Sequence, residues 1–273
     1  MAMTATTNTS ANTALRYLDI NSRASSSSLA KLSSGSRIVR ASDDAASLAV
    51  GTKLRADVTA LKQAQVNASQ ASSLLQVADG GLAQTTEILI RMKALAGQAL
   101  SGQVSDNERG FIDAEYQQLS DQITDMGLQV KYNDVELLDG SFEEAFVVGV
   151  SKDDIINVKL DDDGFALGTL AATLGSVDTA ANAATAMDAL DDALSDVNEA
   201  RANLGAMLSR FEYAGANLAT TVENLDAARS VLLDVDMAAE MSNFSSKQVL
   251  LQASVAMLAQ ANQQPQQLLK LLG

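Results

Sequence analysis

The sequence predicts a mainly α protein. Its N- and C-terminal halves form long antiparallel coiled-coil or helical-bundle rods, with a small β-hairpin element in the middle. Three observations carry this. Leu190, Val197, Leu204, Phe211, Leu218, Leu225 and Leu232 step by sevens, and all seven are apolar. Such a repeat presents one seam of a long helix to a partner. Leu54, Leu61, Ala68, Leu75, Leu82, Leu89 and Ala96 repeat the pattern, separated from it by about ninety residues. Finally, the one proline, Pro265, falls outside both series, so neither is broken.

The stretch from Leu190 to Leu232, at about 1.5 Å per residue, spans roughly 64 Å. That exceeds an ordinary globular helix, so another element must lie along it. Met187, Leu194, Arg201, Leu208, Gly215, Val222 and Arg229 precede its members by three and are apolar in four of seven cases. On the partner, Ala64, Ala71, Ala78, Thr85, Met92 and Ala99 follow by three and allow close approach.

In chain order, residues 1–12 are rich in Thr, Asn and Ala, and a helical pattern starts near Ala14. Leu15, Leu18, Leu29 and Leu32 form a seam with Ser22 and Ser25 at its middle, which is weak on its own. Gly35 caps it and Arg37–Arg40 is extended. Ser42, followed by Asp43 and Asp44, offers a capping hydroxyl and first-turn acids for a rod running to about Leu100. Gly80-Gly81 softens that rod locally. Ser105 and Glu108 form a capping box for a helix to about Met126 or Gly127. Tyr132-Asn133-Asp134 and Asp139-Gly140-Ser141 are turn chemistry.

Phe146–Val150 and Ile155–Leu160 are β-type runs that read as a hairpin. The acidic turn Asp161–Gly164 lacks the later bidentate Glu of a calcium loop and reads as a plain turn. A rod starts at Asp178 or Thr179 and ends near Asp234–Asp236. The last helix runs from about Ala238 to Leu269, with Phe244, Leu251, Val255 and Leu258 facing the weak seam at 15–32. The expected divisions are 1–41, 42–138, 139–177, 178–236 and 237–273.

Composition excludes much. Absence of Cys and His removes disulfides, thiolate or histidine catalysis and Cys/His zinc sites. No Gly-rich phosphate loop is present, so an enzyme is not expected and no cofactor is read. Residues 139–199 hold fourteen Asp/Glu against two Lys, whereas residues 1–41 are mildly basic. That distribution argues against nucleic acid as a partner. Membrane-active helices need a Lys/Arg-rich face, and these rods are acidic. No apolar run is long enough to span a bilayer and no secretory h-region opens the chain, so neither membrane insertion nor a secretory leader is expected.

Several motifs carry a family resemblance. Leu32-Ser33-Ser34-Gly35-Ser36-Arg37-Ile38 leading into Asp43-Asp44-Ala45-Ala46 resembles the N-terminal signature of bacterial flagellin. So does Tyr132–Gly140, although Asp134 stands where the family usually has Gly. Arg201–Ala206, Asn217-Leu218, Asn224-Leu225, Ala227–Ser230 and Leu258–Gln263 with Pro265 resemble the C-terminal signature. The resemblance covers roughly residues 1–140 and 178–273, a short flagellin without large variable outer domains.

The resemblance implies a secreted, extracellular subunit of the flagellum that polymerises into the helical filament used for swimming. It implies export in unfolded form through the flagellar type III apparatus, and terminal helices that order on assembly. Implied partners are further copies of itself, other flagellins, an export chaperone, and the filament cap and hook–filament junction proteins. A junction protein, which shares such ends, is the alternative reading. It further implies a Toll-like receptor face of the pattern Arg-x-x-Glu-Leu-x-x-Gln. Arg91, Leu95 and Gln98 match it, with Glu115 from a neighbouring helix, but Ala94 and Leu119 replace a carboxylate and a guanidinium. The plainer reading of Arg91 and Gln98 is a solvated or subunit–subunit helix face.

Overall fold

The computed structural model describes residues 8–159 and 166–272. Six helices and two strand pairs follow in order: α1 Thr9–Ser34, α2 Ala45–Leu100, α3 Asp106–Gln129, β1 Lys131–Tyr132, β2 Val135–Glu136, β3 Glu143–Val147, β4 Ile155–Lys159, α4 Leu167–Thr173, α5 Ala180–Leu233 and α6 Met237–Leu272. The fold is mainly α with a small β element. The acidic turn at Asp161–Gly164 lies outside the described residues. The chain forms two compact units, one from residues up to 56 together with 224 onward, the other from 57–223. The divisions therefore fall within α2 and α5, further along the chain than the expected break at 41/42 and before that at 236/237.

The second unit is organised by its seams. On α2, Leu61, Ala64, Ala68, Ala71, Leu75, Ala78, Leu82, Thr85, Leu89, Met92, Ala96 and Ala99 are all buried. On α5, Leu190, Val197, Leu204, Phe211 and Leu218 are buried. Arg201 Nε donates to Asp79 Oδ1 at 2.9 Å and Lys93 pairs with Asp191, so α5 runs antiparallel to α2. These exposed pairs mark the register and add little stability.

One detail differs from the periodicity. The second buried position on α5 is held by Ala186 and Ala193, with Ala183 extending the Leu190 series by one heptad, whereas Met187 and Leu194 are only half-buried. These alanines belong to the same core cluster as the α2 seam, and small residues let helices approach closely.

Two elements escaped the sequence. The turn at Asn133-Asp134 closes a two-residue hairpin, β1 with β2, in which both residues have positive φ, 50° and 65°. Asp at the second position carries strain that Gly would not. The short α4 covers α3: Ser120 Oγ donates to Ala171 O at 3.3 Å and Gln117 Nε2 to Gly175 O at 3.0 Å. The larger hairpin pairs Glu143↔Lys159 through Val147↔Ile155, three residues earlier on its first strand than the β-type run Phe146–Val150 indicates. On β4 Ile156 and Val158 bury in alternation with exposed neighbours, while Glu143, Glu144 and Ala145 of β3 face solvent.

Helix ends are set locally. Gly35 ends α1 at φ 68°. Asp44, not Ser42, starts α2: its Oδ1 accepts from Ser47 N at 3.0 Å, and this bonding with Ser47 holds the carboxyl below its usual range. Asp43 instead accepts from Val39 N and Arg40 N. At α3, Glu108 accepts from both the backbone and the hydroxyl of Ser105 at 2.8 Å.

Tyr116 gives a pH test of the second unit. It is fully buried, and its hydroxyl donates to Leu174 O at 2.8 Å. Burial first, then the Asp113 carboxylate, pushes the phenol from 10.0 up to about 12. The folded chain thus keeps a proton that the unfolded chain releases, so stability falls as pH rises from 10 towards about 12. Tyr116→Phe is expected to lose about 1 kcal/mol at neutral pH and most of this alkaline slope. Urea midpoints measured across that range check both.

Candidate assembly surface of the terminal helices

In the first unit α1 pairs with α6. Asn8 caps α1, its Oδ1 accepting from Ala11 N at 3.0 Å, while its amide reaches Ala261 O at 2.9 Å. At the other end Arg37 N donates to Leu233 O at 2.6 Å and Val235 N to Gly35 O at 3.1 Å, so the connection 35–37 is pinned to residues 233–235. Between these ends Asn21 Nδ2 donates to Ser254 Oγ at 2.8 Å, and Lys247 Nζ to Ser28 Oγ at 2.7 Å. As numbers rise on α1 they fall on α6, so the helices are antiparallel.

Two layers make up this contact. One is largely apolar: Leu18 and Leu32 from α1, and Phe244, Leu251 and Leu258 from α6, all half-buried. The other consists of Ala14, Asn21 and Ser28 opposite Lys247, Ser254 and Ala261. The sequence assigns Leu15, Leu29 and Val255 to this contact, but each turns outward, 47%, 54% and 54% exposed. Each lies one residue beyond the position that faces the partner helix. Small and hydroxyl-bearing residues occupy the inner positions because their hydrogen bonds are completed across the pair, which a leucine there would prevent. On the sequence nothing marks Asn21, Ser28 and Ser254 as inner positions; only the partner distinguishes them.

The exposed surface of the pair is strongly apolar. Besides Leu15, Leu29 and Val255, it includes Tyr17, Ile20, Met237, Met241, Val249, Leu250 and Met257. Exposed apolar residues at this density mark a surface that another protein covers. Among the described residues no helix is long and apolar enough to cross a membrane, and no group of acidic side chains is placed to hold a metal ion.

The immune-receptor pattern on the second unit is split. Arg91, Gln98 and Glu115 are exposed, and the Arg91 guanidinium donates to Glu115 Oε1 at 2.6 and 3.0 Å. Leu95 is 3% exposed and belongs to the core, which corrects its placement on an outward face. The reason is α3. It lies along this flank of α2, tied by Arg91–Glu115 and by Arg109 Nε donating to Ala99 O at 2.8 Å. The remaining seam residues, Leu54, Leu225 and Leu232, are half-buried in their positions nearer the rod ends.

Paired terminal helices with an exposed apolar surface, and a second helical unit with its own core, are the features of a self-assembling structural protein. Comparison with known proteins supplies the particular family. Residues 6–143 match the bacterial flagellin N-terminal helical region and residues 187–272 the bacterial flagellin C-terminal helical region. The chain is 40% identical to a flagellin of Halalkalibacterium halodurans and 39% identical to the flagellar filament 30.7 kDa core protein of Treponema maltophilum. Each alignment covers 97% of this chain and 98% of the relative. It is 38% identical to Bacillus subtilis flagellin over the same shares. The crystal structure of Bacillus cereus flagellin superposes with a TM-score of 0.52 and 28% identity, covering 60% of this chain and 94% of that one. The chain belongs to the bacterial flagellin family. It is a structural filament subunit and not an enzyme.

Proposed function

We propose that this chain polymerises into the extracellular helical filament of a swimming bacterium, with the outward side of the α1·α6 pair as the contact between copies. The observation that carries this is the apolar side itself: Leu15, Leu29 and Val255 contribute little to the folded chain yet stand exposed. Covering them removes apolar surface from water, worth about 25 cal/mol per Å², and a lattice repeats that gain at every copy. Export in unfolded form, an export chaperone, the cap and the hook–filament junction proteins are further partners on this reading, supported by family membership.

The test is a triple variant of the full chain, Leu15→Ser, Leu29→Ser and Val255→Ser, seeded with fragments of its own filaments and imaged by electron microscopy. Helical content by circular dichroism stays within a few per cent of the parent, since the three positions are outward, while elongation is lost. Normal tubes from the variant would move the contact to another face. A Toll-like receptor is a weaker partner on this structure. It would meet Arg91 and Glu115 already engaged with each other, no Leu95, and Ala94 in place of a carboxylate.

A further inference from the structure

We propose that α2 carries a built-in flexure point at Gly80–Thr86, where the helix bends or opens while the seam on either side stays closed. The two adjacent glycines differ. A Cβ on Gly81 would lie 2.9 Å from Val130 Cγ2 and 3.0 Å from Leu138 Cδ1, so packing requires a glycine there. A Cβ on Gly80 would meet nothing within 4 Å. No neighbour within the chain calls for glycine at 80, which is among the poorest helix-forming residues. What it supplies is backbone freedom.

The neighbouring residues point the same way. Thr85 is fully buried at a seam position that is otherwise Ala or Met, and its hydroxyl donates back to Gly81 O at 3.0 Å. Thr86 donates back to Leu82 O at 2.9 Å. Two turns before the glycines, Ser72 and Ser73 do the same to Ala68 O and Ser69 O, each at 3.0 Å. Hydroxyls bonded to the carbonyl four residues back compete with the helix ladder and bend it. Beside the seam at this level Arg201 of α5 is bonded to Asp79. Leu75, Leu82 and Leu89 remain fully buried, which confines the freedom to the backbone between them.

The inference concerns the single chain and does not depend on how copies assemble. Amide hydrogen exchange on the full-length protein in solution tests it. The amides of 81–86 are expected to exchange at least about fivefold faster than those of 61–68 and 89–96. Gly80→Ala has room for its methyl, so it should slow that exchange about fivefold and raise Tm by a few degrees. Thr86→Ala, at a half-buried position, should act in the same direction. Uniform exchange along α2 in the parent overturns the proposal. So does a Gly80→Ala variant that melts lower, since it would show that glycine is needed for a fixed backbone shape.

Discussion

Phe211→Ala is expected to destabilise the 57–223 unit by about 3–5 kcal/mol, the largest effect of any single truncation here. Phe211 is 1% exposed at the centre of the α5 seam. Its ring also meets Phe146 of β3 edge-on, centroids 5.9 Å apart at 88°. Truncation therefore opens a cavity between α2 and α5 and releases the face of the hairpin at once. The edge-to-face pair adds about 1 kcal/mol beyond burial. Phe211→Leu keeps most of the volume and should lose less than about 1.5 kcal/mol. Urea unfolding followed by circular dichroism measures both. A loss below about 1 kcal/mol for the alanine variant would mean that the hairpin collapses into the gap.

Arg109→Ala comes second, with an expected loss of about 2–3 kcal/mol. This guanidinium is buried, unusual for an arginine, and ties three groups together. Nε donates to Ala99 O at 2.8 Å, Nη2 to Ser101 O at 3.3 Å and Nη1 to Asp106 Oδ1 at 2.6 Å. Ala99 and Ser101 are at the C-terminal end of α2, where carbonyls lack helix partners and carry partial negative charge. Arg109 thus closes α2 and fixes the turn into α3. Arg109→Lys should recover only part of the loss, because an ammonium cannot fork to three acceptors in different directions. Equal unfolding midpoints for parent, lysine and alanine variants would show that water serves those carbonyls as well.

Much of this was legible in the chain because heptads are local arithmetic. Leu61, Leu75, Leu82 and Leu89 can face one way on a helix and are long-lived partners for nothing but another seam. Gly35 and the Ser105–Glu108 box mark helix ends through chemistry contained within a few residues. The motifs at both ends carry the family in the same local way. What stayed hidden depends on residues far apart in sequence. The 166–177 segment has no strong periodicity, and α4 exists because Tyr116, Gln117 and Ser120 of α3 supply partners for its carbonyls. Leu95 looks like its neighbours Arg91 and Gln98 on a helix surface until α3 covers it.

The sequence alone determined the five long helices, their antiparallel pairing and the flagellin family, because periodicity, caps and signature residues are properties of neighbours along the chain. The tertiary structure decided which side of the two terminal helices faces inward. Between Leu15 and Ala14, or Val255 and Ser254, the choice is a rotation of about 100°, and hydropathy favours the wrong member of each pair. The hydrogen bonds from Asn21 to Ser254 and from Lys247 to Ser28 turn these small and polar residues in and leave Leu15, Leu29 and Val255 out. An interhelical bond needs both partners in place, and neither is visible from its own segment.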